Sequence, residues 1–148
     1  MIIRRATLND LDSIEAIENE CFIDPYKRED LIYELSVNPC AITLVAIEDD
    51  KIVGFVDYMI TFTSATISQI AVTKDYRKQG IALKLLDTME ETFSKDPDEQ
   101  VETITLEVRE HNIPAQNLYR KNGYEDVILK KAYYRDGENA LYMLKRLI

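Results

Sequence analysis

The turn at residues 77–82 constrains this chain more than any other feature. It reads Arg-Lys-Gln-Gly-Ile-Ala, and it connects the apolar run 67–72 to the amphipathic stretch 82–93. Those patterns predict a strand, a turn and a helix in that order. The first N–H groups of a helix have no partner inside the helix, and the helix dipole favours negative charge beside them. The turn is therefore typical of a loop that binds pyrophosphate.

The residues within the turn support that hypothesis. Gly80 lacks a Cβ and lets its backbone approach a ligand, and Arg77 can form a bidentate contact with phosphate. The whole chain carries a formal net charge of −9, which makes the cationic cluster of Lys74, Arg77, Lys78 and Lys84 stand out. An ordinary strand–turn–helix connection with solvated cations explains the same residues equally well. The turn alone leaves both interpretations open.

The composition is that of one folded domain covering residues 1–148. Hydrophobic residues make up 46% of the chain and charged residues 30%, a balance that excludes wholesale disorder. The negative net charge disfavours nucleic acid as a partner. We expect no membrane partner, because no apolar run is long enough to span a bilayer and the first residues do not resemble a signal peptide. A cytoplasmic protein with two free thiols, Cys21 and Cys40, is expected.

The spacing of apolar residues predicts seven strands and four helices, which make one mixed α/β domain with helices on both faces of a partly antiparallel sheet. The strands are expected at 2–5, 41–47, 52–63, 65–73, 101–108, 124–134 and 140–147, and the helices at 8–20, near 31–35, at 82–93 and at 114–121. Leu83, Leu86, Met89 and Phe93 would form the apolar face of the third helix. Asp136-Gly137 would make a tight turn between the last two strands.

Three motifs, in this order and spacing, resemble the GNAT superfamily of N-acetyltransferases over nearly the whole chain. They are Gln69–Val72 leading through Tyr76 to Arg77-x-x-Gly80-x-Ala82, then Leu106–Arg109 followed by Asn112, then Leu118-Tyr119 with Asn122–Tyr124. The second and third are similar to the ribosomal-protein (RimI-like) and archaeal N-terminal acetyltransferases. The later stretches 131–134 and 136–137 are similar to that branch too.

The resemblance implies an α/β (α+β) fold and a cofactor site. The fold would be a mixed, mostly antiparallel sheet of six to seven strands, splayed at the cofactor site, with about four helices on both faces. Acetyl-CoA would be the co-substrate, with no metal. The implied cofactor-binding residues are Ile70, Ala71 and Val72 for the pantetheine arm, Arg77, Lys78, Gln79, Gly80, Ile81 and Ala82 for the pyrophosphate, and Asn112 and Tyr119 for the cofactor arm.

Two residues carry the catalytic roles that the resemblance implies. Glu107 would act as the general base through a water molecule, and Tyr119 would donate a proton to the leaving thiolate. From the residues alone, a solvated Glu107 and a Tyr119 that packs its helix are the favoured interpretations, and only the resemblance reverses the one for Glu107. Asn112 can likewise be a helix N-cap beside Pro114. His111 is the only histidine, and we interpret it as an exposed loop residue.

The acceptor site would involve Pro25, Tyr26, Glu107, Tyr133 and Tyr134. The branch often has Pro-Trp where this chain has Pro25-Tyr26. The implied acceptors are protein or peptide N-termini, those of ribosomal proteins among them. Chemistry favours this choice, since roughly one α-amine in seven is neutral at pH 7, against about one lysine in 2,500.

Alternatives to this function remain open at the level of sequence. The same fold can acetylate a polyamine, an antibiotic or a lysine side chain, and a non-catalytic acyl-CoA-binding sensor or a toxin–antitoxin component would need no base. Direct transfer in a ternary complex is expected, because Cys21 and Cys40 lie outside the matched motifs. The protein is expected to be a monomer or a homodimer.

Overall fold

A computed structural model describes all 148 residues. Its strands are β1 (Ile2–Arg5), β2 (Ala41–Glu48), β3 (Lys51–Thr61), β4 (Ser64–Val72), β5 (Thr103–Arg109), β6 (Glu125–Lys130) and β7 (Ala140–Arg146). Its helices are α1 (Leu11–Cys21), α2 (Arg28–Ser36), α3 (Ile81–Glu91) and α4 (Ile113–Lys121), with short 3-10 turns at Leu8–Asp10 and Lys74–Tyr76. The predicted order of strands and helices is confirmed.

The seven strands form a mostly antiparallel sheet in the order β1-β2-β3-β4-β5-β7-β6. Strands β1 and β2, β2 and β3, β5 and β7, and β6 and β7 pair antiparallel, whereas β4 and β5 pair parallel. The parallel pairing covers only Ser64–Thr66 with Thr103–Thr105, so it ends well before β4 itself ends at Val72. The predicted mixed fold is confirmed.

The chain divides into two compact units, which are described one at a time. The first unit comprises residues 1–59 and 68–93, and the second comprises residues 60–67 and 94–148. The expectation of one domain over residues 1–148 stays a prediction.

The first unit begins with a capped helix entry. The Thr7 hydroxyl accepts a hydrogen bond from the Asn9 N–H at 3.3 Å, and the Asp10 carboxylate accepts one from the Thr7 N–H at 2.9 Å. The Arg4 guanidinium donates to both oxygens of Asp10, at 2.8 and 2.9 Å. This reciprocal arrangement satisfies donors that a helix start would otherwise leave without partners. It also orients α1 so that its apolar side packs on the sheet, in the cluster Leu11, Ile14, Ile17, Leu31, Val45, Phe55 and Ala71.

Three of the four residues predicted for the apolar face of the third helix are buried, namely Leu86, Met89 and Phe93. Ile81, Leu85, Leu86 and Met89 are buried, and Leu83 is 38% exposed, so the prediction of Leu83 in the core is wrong. Two helical faces compete here, because leucines occupy positions 83, 85 and 86. Leu85 is the leucine that packs against the backbone of β3, at Gly54. A Cβ built on Gly54 of β3 would lie 2.9 Å from the Ala71 carbonyl oxygen and 3.5 Å from Leu85 Cδ1.

The second unit is built on the alternation of β5. Ile104, Leu106 and Val108 are buried, as predicted, and Glu107 points to the opposite face. Val101 was expected to begin this strand on its polar face. It is instead buried and lies before β5, which begins at Thr103.

The connection between β6 and β7 is a nine-residue loop, 131–139, so the prediction that the sixth strand extends to residue 134 is wrong. A tight turn does lie at the predicted Asp136-Gly137, inside this loop. The loop folds on itself. The Ala132 N–H donates to the Asn139 side chain at 2.8 Å, and the Gly137 N–H donates to the Tyr134 carbonyl at 2.9 Å. Gly137 has a φ of +91°, which explains why glycine is needed at this turn.

Candidate functional site

The anion-binding loop at residues 77–82 presents backbone donors. Gly80 is the N-cap of α3 with a φ of +80°, and Lys78 also has a positive φ of +63°. None of the backbone N–H groups from Lys78 to Ala82 donates a hydrogen bond within the protein. Successive free N–H groups at a helix N-terminus are the donor set that a pyrophosphate requires. The loop therefore fits the diphosphate of a coenzyme A.

Arg77 is partly engaged in holding this loop in place. Its Nε–H donates to the Val72 carbonyl at 2.9 Å, and Nη2 donates to Cys21 Sγ at 3.4 Å. Arg77 thus ties the loop to the end of β4 and the end of α1. Its contact with a phosphate stays a prediction. Burial raises the pKa of the Cys21 thiol, even though Arg77 opposes the change, so Cys21 remains a protonated thiol at neutral pH.

Glu18 connects α1 to the loop that holds Pro25 and Tyr26. Its Oε1 accepts hydrogen bonds from the Tyr26 N–H and from Gln69 Nε2, both at 2.7 Å. Glu18 is fully buried, and its Oε2 has no hydrogen-bond partner. Burial raises the pKa of Glu18, partly offset by these two donors. No sequence motif pointed to Glu18. Its position four residues after Ile14, on the apolar side of α1, was the available signal.

A pair of carboxyl groups, Asp57 and Glu34, lies in the first unit, and Asp57 is close enough to Glu18 to feel its charge. Asp57 is 4% exposed, and its Oδ1 accepts a hydrogen bond from the Thr43 hydroxyl at 3.0 Å. Burial, followed by the neighbouring carboxyl of Glu34, raises the pKa of Asp57 to about 8. A buried oxygen of Glu34 has no other partner. We infer that Asp57 holds a proton at neutral pH, because burial and the neighbouring carboxyl both disfavour its charged form.

Glu107 in the second unit is held by a lysine. Lys130 Nζ donates to Glu107 Oε1 at 2.8 Å, and the Lys130 ammonium lies 4.6 Å from the centre of the Tyr142 ring and 5.4 Å from that of Tyr133. Glu107 is thus neither isolated nor fully solvated, since its side chain is 20% exposed. No sequence motif pointed to Lys130.

Tyr119 is buried on α4. Its ring packs against Tyr124 with the ring centres 5.7 Å apart. Burial raises the pKa of Tyr119 well above its ordinary value, with a smaller contribution from Tyr134. The phenol therefore keeps its proton at any physiological pH. Both the packing role and the acid role fit this position, and the acid role stays a prediction.

Asn112 caps the helix that carries Tyr119. Its side-chain oxygen accepts a hydrogen bond from the Ala115 N–H at 3.3 Å, with Pro114 in the first turn. The N-cap role is confirmed, and the contact of Asn112 with the cofactor arm stays a prediction. His111 is an exposed loop residue, as predicted, and its ring pairs with Glu138 at 3.0 Å.

Tyr133 and Tyr134 lie in the β6–β7 loop, with their ring centres 5.0 Å apart. Arg109 stacks on Tyr134 at 4.0 Å and forms ion pairs with Asp136 at 2.9 Å and Glu138 at 2.8 Å. These contacts hold the loop beside the β5 strand that carries Glu107. Burial raises the pKa of Tyr134 to about 12. Tyr134 is therefore a neutral hydrogen-bonding group, and its role in binding an acceptor stays a prediction.

No cluster of three or more His, Cys, Asp or Glu side chains has the geometry to hold a metal ion. None of the helices has the length and apolar character that crossing a membrane requires.

Comparison with known proteins agrees with this geometry. The sequence model of the acetyltransferase (GNAT) family matches residues 11–124. An N-alpha-acetyltransferase of Saccharolobus solfataricus is 32% identical, with 98% of this chain and 92% of the relative covered. A Bacillus subtilis protein provisionally named [ribosomal protein bS18]-alanine N-acetyltransferase is 35% identical, with 95% and 92% covered.

A solved structure shows the same fold. The ribosomal-protein-S18-alanine N-acetyltransferase of Escherichia coli superposes with a TM-score of 0.84 at 25% identity, over 99% of this chain and 93% of that chain. The chain therefore belongs to the acetyltransferase (GNAT) family. It is an N-acetyltransferase, and its acetyl donor is acetyl-CoA. The resemblance to the ribosomal-protein and archaeal N-terminal branch is confirmed by these relatives.

Proposed function

We propose that this protein acetylates the free α-amine of protein or peptide chains, with ribosomal proteins among the acceptors. The observation that carries the proposal is the arrangement around Glu107, a carboxylate held with aromatic rings in a position that suits an ammonium group. Relatives named for N-terminal acetylation support it. Cytoplasmic proteins are the proposed acceptors, so we place the enzyme in the cytoplasm as a monomer or a homodimer.

Backbone groups of the first unit would hold the coenzyme. Acetyl-CoA supplies an activated acetyl group as a thioester. The N–H groups from Lys78 to Ala82 would bind its pyrophosphate, with Arg77 nearby. The backbone of Ile70, Ala71 and Val72 would bind the pantetheine arm, and the Asn112 side chain would also bind it.

Two side chains of the second unit would move the protons. The acceptor nitrogen forms the new C–N bond as the C–S bond of the thioester breaks. Glu107 would accept, through a water molecule, the proton that the amine loses. Tyr119 would give a proton to the departing sulfur, a role that suits a phenol kept protonated by burial.

Direct transfer without an acetyl-enzyme follows from the state of the thiols. Cys21 is a protonated thiol with Arg77 and the Val72 carbonyl beside it, and Cys40 is exposed and free. Burial raises the pKa of the Cys21 thiol, which is the opposite of what activates a nucleophilic cysteine, and the thiol donates only a long hydrogen bond of 3.6 Å to the Glu20 carboxylate. Activity should survive alkylation of both thiols, and an accumulating acetyl-enzyme would contradict the proposal.

The proposal is tested by initial rates with acetyl-CoA on a panel of amines. The panel contains short peptides with different first residues, one peptide with a blocked N-terminus and an internal lysine, and spermidine. Turnover of free N-termini alone is the expected result. Turnover of the blocked peptide or of spermidine would instead assign the lysine or small-amine class. Acetyl-CoA binding without any turnover would favour the sensor.

A further inference from the structure

The second unit contains a complete binding arrangement for an ammonium group. Lys130 Nζ lies 2.8 Å from Glu107 Oε1 and above the faces of two aromatic rings, at 4.6 Å for Tyr142 and 5.4 Å for Tyr133. A carboxylate combined with aromatic faces is the chemistry by which proteins recognise ammonium ligands. The protein's own lysine occupies this arrangement.

The pairing of β5, β6 and β7 fixes the positions of Glu107 and Tyr142. Glu107 lies opposite Tyr142 in the β5–β7 pairing, and Tyr142 lies opposite Ile128 in the β6–β7 pairing. Lys130 follows Ile128 by two residues, so its side chain points to the same face of the sheet as Glu107 and Tyr142.

The Lys130 ammonium group, in contrast, can move away from Glu107. The Lys130 side chain is 38% exposed and has a flexible four-carbon stem. Its remaining recorded partners are the two tyrosine rings. The other cation of this face, Arg109, is held by Asp136 and Glu138 and stacked on Tyr134. Lys130 is thus the exchangeable cation and Arg109 the anchored one.

We propose that Lys130 is an internal stand-in for the acceptor's ammonium group, and that an incoming α-ammonium displaces it from Glu107. The inference rests on the proposed function, because it takes Glu107 as part of the acceptor site. One ion pair is exchanged for another, so Glu107 is never left unpaired, a state that is costly for a partly buried carboxylate. A neutral, blocked N-terminus cannot make this exchange, so Lys130 helps to select free amines.

Lys130 is not itself a good acetyl acceptor in this position. Its hydrogen bond to Glu107 raises the pKa of the Lys130 ammonium, so the nitrogen remains protonated and has no lone pair for attack. Lys130 could instead be a fixed cation that orients Glu107 for catalysis. Removal of its charge would then raise the acceptor KM or lower kcat, whereas displacement predicts a lower acceptor KM.

The experiment measures initial rates against acceptor concentration at saturating acetyl-CoA. The variants are Lys130→Met, which keeps an unbranched stem without charge, and Lys130→Arg, which keeps the charge. Lys131→Met is the matched control, because Lys131 is the exposed neighbour on the chain. Each variant is assayed with the free-N-terminus peptides, the blocked lysine peptide and spermidine.

Displacement predicts that Lys130→Met lowers the acceptor KM by about three- to tenfold, on the scale of one partly exposed ion pair. The KM for acetyl-CoA should stay unchanged. Lys130→Arg should keep or raise the acceptor KM, and Lys131→Met should change neither constant. A higher acceptor KM or a fallen kcat in Lys130→Met would overturn the proposal in favour of a fixed orienting cation, and an unchanged acceptor KM would overturn it as well.

The two proposals fail in different ways. The amine that the parent protein turns over decides the proposed function, whereas the sign of the KM change for that amine decides the role of Lys130. If the parent protein turns over none of the three amines, calorimetry measures the affinity of each amine for the parent and for Lys130→Met. Tighter binding to Lys130→Met then supports the stand-in role, and equal or weaker binding overturns it.

Discussion

The loop at residues 77–82 in the first unit and the polar face of β5 in the second unit present different kinds of chemical group. The loop presents backbone N–H groups whose direction is set by positive φ at Lys78 and Gly80. The β5 face presents side chains, Glu107 and its partners, brought together from three strands by their register. A backbone site depends on local conformation, and a side-chain site depends on long-range pairing, so different substitutions should damage them.

The β5 face should show the largest effect. Glu107→Gln keeps the shape of the side chain but removes the base, so kcat should fall by about 10²- to 10⁴-fold. Acetyl-CoA affinity, measured by calorimetry, should be unchanged. Tyr119→Phe is the companion test of the acid and should also lower kcat by orders of magnitude while sparing acetyl-CoA binding. Full activity in both variants would remove these residues from the mechanism.

The loop should respond through its backbone. Gly80→Ala forces a non-glycine residue to a φ of +80° at a cost of about 1–2 kcal/mol. It should raise the acetyl-CoA KM by about tenfold, on the scale of one weakened hydrogen bond to a charged group. Gly137→Ala is matched to it, because both glycines have positive φ and open space around a built Cβ. Equal acetyl-CoA KM values in the two variants would argue against a phosphate-binding role for the loop.

Glu18 offers a test of how the Tyr26 loop is positioned. Glu18→Ala removes the acceptor shared by the Tyr26 N–H and Gln69, so the acceptor KM should rise about tenfold while the acetyl-CoA KM stays unchanged. Glu18→Gln keeps one oxygen for the Tyr26 N–H and should restore most of the affinity. Asn19→Ala, at an exposed position of the same helix, is the control. A general loss of stability with both KM values intact would make Glu18 purely structural.

Asp57 should control a smaller, pH-dependent effect on stability. Its pKa rises on folding, from its ordinary value of 3.8 to about 8, so the folded state binds more protons than the unfolded state. The free energy of unfolding should therefore fall as pH rises from about 4 towards 8. Asp57→Asn should flatten this dependence, with urea unfolding at several pH values as the measurement. The same slope in parent and variant would assign the dependence to other groups.

Much of the local structure was readable from the chain. The Asn112 N-cap, the turn before the third helix and the order of strands and helices all follow from short-range rules. The predictions failed where two local patterns competed. Leu83 and Leu85 both fit a helical period, and Asp136-Gly137 is a good turn that lies inside a longer loop.

The candidate site shows the same difference between what local sequence patterns predict and what depends on distant residues. Motifs predicted roles for Glu107, Tyr119 and the loop at 77–82, and those roles stay predictions, whereas the family is confirmed by the comparisons. Glu18 and Lys130 were missed because the contacts of each are with a residue that is distant in the sequence. Glu18 meets Gln69 across 51 positions of the chain, and Lys130 meets Glu107 across 23. No local spacing encodes such a pair.

The sequence by itself determined the family, the order of the elements and the backbone loop, because these depend on residues close together in the chain. Tertiary structure decided which charges are paired and which carboxyl groups hold protons. The proton of Asp57 follows from burial beside a second carboxyl, and the partner of Glu107 follows from strand register. Electrostatic energies depend on distance and solvent exposure, and only the folded chain sets those two quantities.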